Sequence, residues 1–435
     1  MKSTCLVLSI LISLFPTSSV PAQDQPAVGP GRFALADVTQ EALRNNPSIR
    51  AARAKWRMMK ERIPQAAAWP DPLVGADVER FGTSQFGDWT DVEYMVMQEI
   101  PISGKNRSRA RIADAESRAS WEEFRRVQLD VVAGVKAAYF NLGNARAQLA
   151  VNQRSIDLLT QFTEISLKKY EAGTQTQGDV LLAQTEAVRL GEQRKDLERD
   201  LSDAQTRLNT LLNRRPESPV GQAELRFVHF RANPERLRIL MLARRPELLA
   251  AEHNVTGEKA KLQLAQRQWF PDPQIRVEAR DLNGDGSGIS EYDTGVFFSI
   301  PWPNFKRYVA GEREARSGIE MQRSNLHRAE NDALGALRDQ IKKIETLHHH
   351  YELFRGQLLP LAKQTVEATL AGYESDKAGF LDLLTAQRRA QDIEAAYFMH
   401  LTNYLIALAE LEAIVGADPL HERPSASPAK GREKK

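Results

Sequence analysis

The sequence contains few of the residues on which disulfide-bonded exported proteins and thiol enzymes depend. Among its 435 residues Cys5 is the only cysteine, so the chain cannot form an internal disulfide or a cysteine zinc site. Aromatic residues make up only 7%, which is low for an all-β protein. Neither sign of charge is in excess, since the net charge is +2, and this argues against a nucleic-acid binder.

Catalytic motifs are also absent. The sequence contains no glycine-rich phosphate loop, no H-E-x-x-H and no G-x-S-x-G. We therefore predict that the protein is not an enzyme, holds no cofactor and does not use ATP. Its hydrophobic content of 42% is nevertheless that of a folded chain.

Long uncharged apolar runs are missing except near the first residue. The run from Cys5 to Phe15 follows Lys2 and precedes the small residues of Val20-Pro21-Ala22. This pattern predicts a secretory signal peptide over residues 1–22. The alternative, a short membrane anchor, needs about 20 apolar residues, and the run is shorter than that.

The chain repeats itself with a constant offset of about 200 residues, which predicts an internal duplication. Four landmarks of the first copy recur in the second. Trp69-Pro70-Asp71-Pro72 corresponds to Phe270-Pro271-Asp272-Pro273, and Ile100-Pro101 corresponds to Ile300-Pro301. Tyr170 with Asp179–Gln184 corresponds to Tyr373 with Asp382–Gln387, and Asn46-Pro47 corresponds to Arg245-Pro246.

Each copy carries a helical hairpin of unusual length. No proline occurs between Pro101 and Pro216, and apolar residues recur there at coiled-coil spacing. The spacing predicts that each of two long helices packs against two shorter helices placed end to end. The predicted long helices are 105–172 and 304–373. The first would pack against 178–213 and 243–270, and the second against 377–416 and 35–68.

These patterns divide the chain as follows. The predicted segments are a signal peptide (1–22), an N-terminal extension (23–34), repeat 1 (35–213), a non-helical equatorial linker (214–242), repeat 2 (243–416) and a disordered tail (417–435).

Two β-hairpins, 73–100 and 274–300, interrupt the helices. The predicted strands 73–81, 91–100, 274–282 and 291–300 have the length of tilted transmembrane strands, and apolar residues alternate in them with charged ones. Trp69, Trp269 and Trp302 flank them, as membrane-interface aromatics do. Four strands cannot close a barrel, and open edges cannot lie in lipid. Membrane strands therefore require a homo-oligomer, most simply a trimer with 12 strands; the alternative is a soluble hairpin packed on the helices.

The duplicated plan resembles the TolC-like outer-membrane efflux proteins over about residues 35–416. The motifs are W-P-D-P before a hairpin, E-I-P after it, and Y-x-x-G…D-V-L-x-A-Q at the helical turn. The segment from Tyr373 to Arg388 is most similar to the heavy-metal and multidrug members. The resemblance implies a mixed α+β membrane protein, with four strands per chain pooled in a homotrimer into a 12-stranded barrel, and a helical tunnel in the periplasm.

The resemblance also implies a function and partners. The protein would be a passive exit duct in the lipid of the bacterial outer membrane. It would dock a periplasmic adaptor and an inner-membrane pump to export small molecules or metal ions. Two alternatives stay open, a type I protein-secretion duct and, from another class, a soluble periplasmic coiled-coil scaffold without a pore.

Two aspartates are candidates for a gate. Asp179 and Asp382 follow the two helical turns, and in the family aspartates at this position line the periplasmic entrance. In a trimer they would form rings of up to six carboxylates, favouring cations. Helix N-capping is the alternative role. The second aspartate that the family often carries three residues later is replaced here by Leu182 and Thr385.

The two turns would also meet the adaptor. Candidates for this contact, chosen from their position alone, are Lys168, Tyr170, Gly173, Gln175, Tyr373, Glu374 and Lys377. At the second turn Asp376 stands where the family motif usually has glycine.

Two segments have the composition of metal sites but not the spacing. His348, His349 and His350 would point about 100° apart on a helix, so they cannot chelate one ion together. Asp281, Asn283 and Asp285 resemble the start of a calcium loop, but the closing acid, Glu291, is one residue too early. We expect a strand-connecting loop there and regard these three residues as weak calcium candidates.

Overall fold

The computed structural model describes residues 33–79, 91–173, 176–281, 288–300 and 304–417. Several predictions lie outside these residues and are not taken further. They concern the signal peptide, nearly all of the N-terminal extension and of the tail, and the residues Gln175, Asn283, Asp285 and Trp302.

The two halves of the chain have the same order of elements. The first half contains α1 (Leu35–Asn45), α2 (Pro47–Ala67), β1 (Leu73–Glu79), β2 (Asp91–Glu99), α3 (Lys105–Glu171) and α4 (Gln177–Leu211). The second contains α5 (Pro234–Arg244), α6 (Pro246–Arg267), β3 (Gln274–Asp281), β4 (Glu291–Phe297), α7 (Phe305–Leu353), α8 (Leu359–Glu374) and α9 (Phe380–Val415).

Both short helical segments are broken before a proline. We predicted single helices over 35–68 and 243–270, but α1 stops before Pro47 and α5 stops before Pro246. A proline has no N–H and fits the first position of a helix, so a new helix begins at each one. Asn46, which lies at the first break, bonds in two directions. Its Nδ2 donates to the Leu211 carbonyl at the end of α4 at 2.9 Å, and its Oδ1 accepts from the Ser48 N–H at the start of α2 at 2.9 Å.

The long helices have the predicted extent. At 67 residues, α3 is about 100 Å long. Its counterpart is less regular than predicted, since a π-helical turn, Phe354–Leu358, separates α7 from α8. Pro360 is the second residue after this turn and has no N–H to donate to it, which accounts for the local widening.

The predicted linker is shorter than 214–242, because α5 already begins at Pro234. Its backbone forms no strand and is bonded by helix side chains instead. The Tyr404 hydroxyl donates to the Val228 carbonyl at 2.9 Å, and Arg146 donates to the Gly221 carbonyl at 2.6 Å. Gly143 lets the linker lie flush on α3, since a Cβ there would approach Leu225 to 2.9 Å.

The main hydrophobic core lies under this linker, where α1, α3, α5, α7 and α9 meet. Leu142, Met241 and Tyr404 are among its fully buried members. Within the described residues α9 is the one helix long and apolar enough to cross a membrane, and half of its apolar window is buried. Since Leu401, Tyr404, Leu408 and Leu411 of α9 belong to this core, packing against other helices explains its apolarity.

The four strands form one antiparallel sheet in the order β1-β2-β3-β4. The first hairpin therefore pairs with the second through β2 and β3, for example Val96 opposite Val277. The strand predicted over 291–300 is shorter than expected, because it ends at Phe297. Within the described residues, the outer edges of β1 and β4 have no strand partner.

The joint at Asn46 gives a first prediction. Replacing Asn46 by alanine removes both of its hydrogen bonds, and loss of a helix cap should lower the free energy of unfolding by about 1–2 kcal/mol. Guanidinium unfolding in detergent, followed by the helical circular dichroism signal, measures this. The control is Asn325→Ala, whose side chain reaches only Gln322 at 3.4 Å, and an equal loss in both variants would contradict the prediction.

Candidate functional site: the two-faced sheet and the helical tips

One face of the sheet is apolar and exposed. The register brings side chains of all four strands onto it: Val74, Ala76, Val78, Val92, Tyr94, Val96, Ile275, Val277, Ala279, Tyr292 and Val296. Val74 is 72% exposed and Tyr292 is 74% exposed. A contiguous apolar surface of this extent in a single chain is typical of a surface that meets lipid or another protein.

The opposite face is charged. The Arg280 Nη2 donates to Glu93 Oε2 at 3.0 Å, and Arg276 pairs with Glu278 while its guanidinium lies over the Phe297 ring. Glu278 is buried within this network. The register thus confirms the predicted alternation of apolar and charged residues along the strands.

Of the three tryptophans predicted at a membrane interface, Trp69 and Trp269 are described, and both lie where a helix leads into the sheet. Trp69 precedes β1 and is exposed. Trp269 follows α6 and is half-buried, where its Nε1 donates to Glu312 Oε1 at 2.9 Å and its ring tilts against Tyr308. Their role at a membrane interface stays a prediction.

At the far end of the helices, corresponding residues of the two turns have a left-handed backbone. Gly173 has a φ of 74° and Asp376 a φ of 59°. Aspartate tolerates this conformation better than most residues with a side chain. Asp376 can therefore adopt the left-handed conformation that glycine has at the corresponding position of the first turn.

Lys169 joins the two turns, although sequence reasoning selected its neighbour Lys168. Its Nζ donates to Asp376 Oδ1 at 2.6 Å and to the Tyr373 carbonyl at 2.6 Å. It also lies 4.9 Å from the centre of the Tyr373 ring. One lysine of the first hairpin thus holds the last turn of α8 in the second.

The two gate candidates differ in their bonding. Asp382 is exposed, and its Oδ2 accepts from the Gly379 N–H at 3.1 Å, so it caps the start of α9. Asp179 is half-buried in the first turn of α4, and its carboxylate makes no hydrogen bond or ion pair to any described residue. Three residues further on, Thr385 bonds to its own helix and Leu182 is exposed.

The adaptor-contact prediction is wrong for Tyr373. Its side chain is 0% exposed and packs edge-on against Phe380. The motif tyrosine is therefore part of a small core between the tips, because its ring fills the space between α3, α8 and α9. The other described candidates, Lys168, Tyr170, Gly173, Glu374 and Lys377, are exposed.

A buried ion cluster lies two turns of helix beyond Asp179. The Glu186 side chain is 3% exposed, and its carboxylate accepts from Arg189 of its own helix at 2.6 Å and from Arg388 of α9 at 3.0 Å. Burial by itself would raise the pKa of Glu186, but the two arginines outweigh it and lower that pKa to about 2. The cluster ties the first hairpin to the second.

Sequence reasoning missed this cluster, although a signal was present. Glu186 stands two residues after the shared Ala-Gln of the first copy, and Arg388 directly follows the Ala-Gln of the second. An acidic residue in one copy and a basic residue at a neighbouring position of the other are the signal from which an ion pair between the copies could have been expected.

The three neighbouring histidines do not converge on one point. His348 packs near Phe227 and Tyr404, whereas His350 faces His400 with ring centres 5.0 Å apart. Asp281 is buried at the end of β3. Among the described residues no group of three or more histidine, cysteine or acidic side chains is arranged to hold a metal ion.

A two-faced sheet carried on paired helices about 100 Å long is an architecture found in solved channel structures. The outer-membrane channel OprN has this fold, with a TM-score of 0.75 at 19% identity, covering 88% of this chain and 90% of that one. The chain therefore has the fold of this outer-membrane channel.

Sequence comparison gives the family. The family model described as outer membrane efflux protein matches residues 38–214 and 237–417. The outer membrane protein OprJ of Pseudomonas aeruginosa is 25% identical over 402 residues, which cover 86% of this chain and 82% of OprJ. The cobalt-zinc-cadmium resistance protein CzcC of Cupriavidus metallidurans is 21% identical over 406 residues, covering 92% and 93%.

The chain belongs to the outer membrane efflux protein family. It is thus a channel protein rather than an enzyme, located in the bacterial outer membrane with its helical tunnel in the periplasm. The family serves multidrug and metal efflux.

The Glu186 cluster gives a second prediction. Replacing Glu186 by glutamine leaves two arginines around a neutral amide, and loss of charge-assisted hydrogen bonds should cost about 1.5–3 kcal/mol of unfolding free energy at pH 7. Because the folded-state pKa lies below the ordinary value of 4.5, the stabilisation is complete above that pH and disappears as the pH falls towards 2.

Guanidinium unfolding at several pH values measures the difference between the wild type and this variant. The matched control is Glu192→Gln, an exposed carboxylate of α4 without an ion pair in the described chain. A difference that stays constant between pH 5 and pH 2 would contradict the assignment to Glu186.

Proposed function

We propose that three copies of this chain form a passive exit duct, with a 12-stranded barrel in the outer membrane and a helical tunnel below it. The observation that carries this proposal is the two-faced, open-edged sheet. Its apolar face would lie in lipid and its charged face would line the lumen.

The open edges determine how the copies join. The edge of β4 in one copy would pair with the edge of β1 in the next, so that no backbone group is left unpaired in lipid. Two copies would give eight strands, a barrel whose interior is about filled by its own side chains. Three copies give twelve strands and leave room for cargo around the charged face.

The periplasmic end of the duct would be closed by carboxylates. Asp179 and Asp382 of three chains would contribute six of them, which would favour cations and resist leakage of anions. Asp179 supports this role because the described chain offers its carboxylate no partner. Asp382 would combine the role with its cap of α9.

The exposed tip residues would meet a periplasmic adaptor, which connects the duct to an inner-membrane pump. Energy must come from such a pump, because the chain has no nucleotide-binding motif. CzcC is described as a cobalt-zinc-cadmium resistance protein. We therefore propose metal ions or small molecules as cargo, with a type I protein-secretion duct as the alternative.

A third prediction tests the barrel. On β2, Val96 points to the apolar face and Met95 to the charged face. An arginine on a lipid face costs about 2–4 kcal/mol at the bilayer midplane. Val96→Arg should therefore reduce the amount of protein in a urea-washed outer-membrane fraction, and Met95→Arg should be tolerated. Equal recovery of both variants in the soluble fraction would favour the periplasmic scaffold.

A fourth prediction tests the gate. The double variant Asp179→Asn/Asp382→Asn removes the charges while asparagine can still cap α9. We expect the wild type to give small, cation-selective single-channel events in planar bilayers, and the variant to give larger, less selective ones. The control, Asp203→Asn/Asp339→Asn, removes the same charge from exposed positions remote from the tips. Unchanged events in the gate variant would remove these residues from the gate and leave the duct intact.

A further inference from the structure

The helix ends next to the sheet carry basic side chains that form no ion pair with the described part of the chain. We propose that six basic side chains there form a collar that binds the phosphate groups of anionic phospholipids in the periplasmic leaflet of the membrane. The basic collar consists of Arg62, Arg107, Arg109, Arg111, Lys306 and Arg307. The inference rests on the proposed placement of the sheet in the membrane.

The sequence concentrates basic residues at these helix ends. In α3 the basic residues start at Lys105, and the first acidic residue is Asp114. In α7 Lys306 and Arg307 precede the first acidic residue, Glu312. All six side chains of the collar are exposed.

The collar is not part of the internal network of ion pairs. Lys105 is not counted in the collar, because its Nζ pairs with the buried Asp272 at 3.0 Å. Arg109 and Arg111 bond only neutral amide oxygens, those of Asn106 at 2.7 Å and Gln263 at 2.8 Å.

The remaining members, Arg62, Arg107, Lys306 and Arg307, form no ion pair with the described part of the chain. At the other end of the helices some basic residues are paired, as Lys169 is with Asp376 and Arg388 with Glu186.

Helix stability does not account for the collar residues near the start of α3 and α7. The N-terminal end of a helix carries a partial positive charge, so arginine and lysine in the first turns of α3 and α7 are placed against the helix dipole. Acidic residues are missing from the first turn of both helices. Basic residues that oppose the helix dipole and have no acidic partner in the described chain indicate a partner outside the chain, which here would be an anion.

The position of the collar selects a lipid headgroup as that anion. At 1.5 Å per residue Arg107 lies about 3 Å into α3 and Arg111 about 9 Å, so both lie close to the end of the helix that adjoins the sheet. Exposed aromatic side chains, Trp69, Phe270 and Phe305, lie at the same end. Aromatic rings beside basic residues are typical of the headgroup layer.

The test measures lipid preference directly. Full-length protein is reconstituted in phosphatidylcholine bilayers, and the association of spin-labelled phosphatidylglycerol is compared with that of spin-labelled phosphatidylcholine. The collar variant is Arg107→Gln/Arg111→Gln/Lys306→Gln/Arg307→Gln. The matched control is Arg207→Gln/Arg323→Gln/Lys363→Gln/Arg389→Gln, which removes the same charge from exposed, unpaired positions further from the sheet.

We expect a severalfold preference for phosphatidylglycerol in the wild type and in the control, and almost none in the collar variant. Salt of about 1 M, which shortens the Debye length to about 3 Å, should abolish the preference. A collar variant that keeps the preference, or a wild type without one, overturns the proposal. So does a collar variant that changes the ion selectivity of the channel while its lipid preference stays, because the basic residues would then line the lumen.

Channel formation separates this proposal from the proposed function. Wild-type protein that inserts and conducts but shows no lipid preference overturns the collar alone. Protein that neither inserts nor conducts overturns the duct, and the collar with it.

Discussion

A sheet of four strands with an apolar face and two open edges is stable by itself neither in water nor in a bilayer. In water it would leave Val74, Val96 and Tyr292 exposed, and in lipid it would leave the outer edges of β1 and β4 without hydrogen-bond partners. In the proposed duct both costs disappear, because the strands of several chains are combined. The helices of each chain would then stand side by side on one side of the sheet.

The duplication makes this arrangement possible. Each half of the chain supplies one hairpin of strands and one long helix with shorter helices beside it, so a single chain contributes two similar sectors of a tunnel wall. The two halves are joined by the extended linker, which crosses the helices. Its backbone forms hydrogen bonds with helix side chains instead of with a neighbouring strand, and the Tyr404 hydroxyl, for example, donates to the Val228 carbonyl. The buried backbone is thus satisfied without a regular element that would interrupt the helices.

Features that follow a short sequence period could be predicted from the sequence, but contacts between the two repeats of the chain could not. Alternation along β2 and β3 identified both faces of the sheet, and proline and glycine positions identified the turns at Gly173 and Asp376. Asn46-Pro47 and Arg245-Pro246 were recognised as one pair of repeated landmarks. To predict helix breaks there, one must also apply the rule that proline favours the first position of a helix. By contrast, Tyr373 was expected at the surface, because nothing in its own segment shows that Phe380 and Lys169 enclose it.

The contacts between the two hairpins constrain how a tip of this kind can open. Within one chain Lys169 holds the Tyr373 carbonyl and Asp376, and Glu186 holds Arg388, so both hairpins are joined at two levels near the tip. The lower contact is exposed on the Asp376 side, where water and salt weaken it. In the upper contact the Glu186 side chain is buried, and separating it from Arg388 would leave this carboxylate with Arg189 of its own helix as its one remaining charged partner among the described residues. A motion that parts the hairpins of one chain must therefore break both contacts, whereas a motion between neighbouring chains leaves both intact.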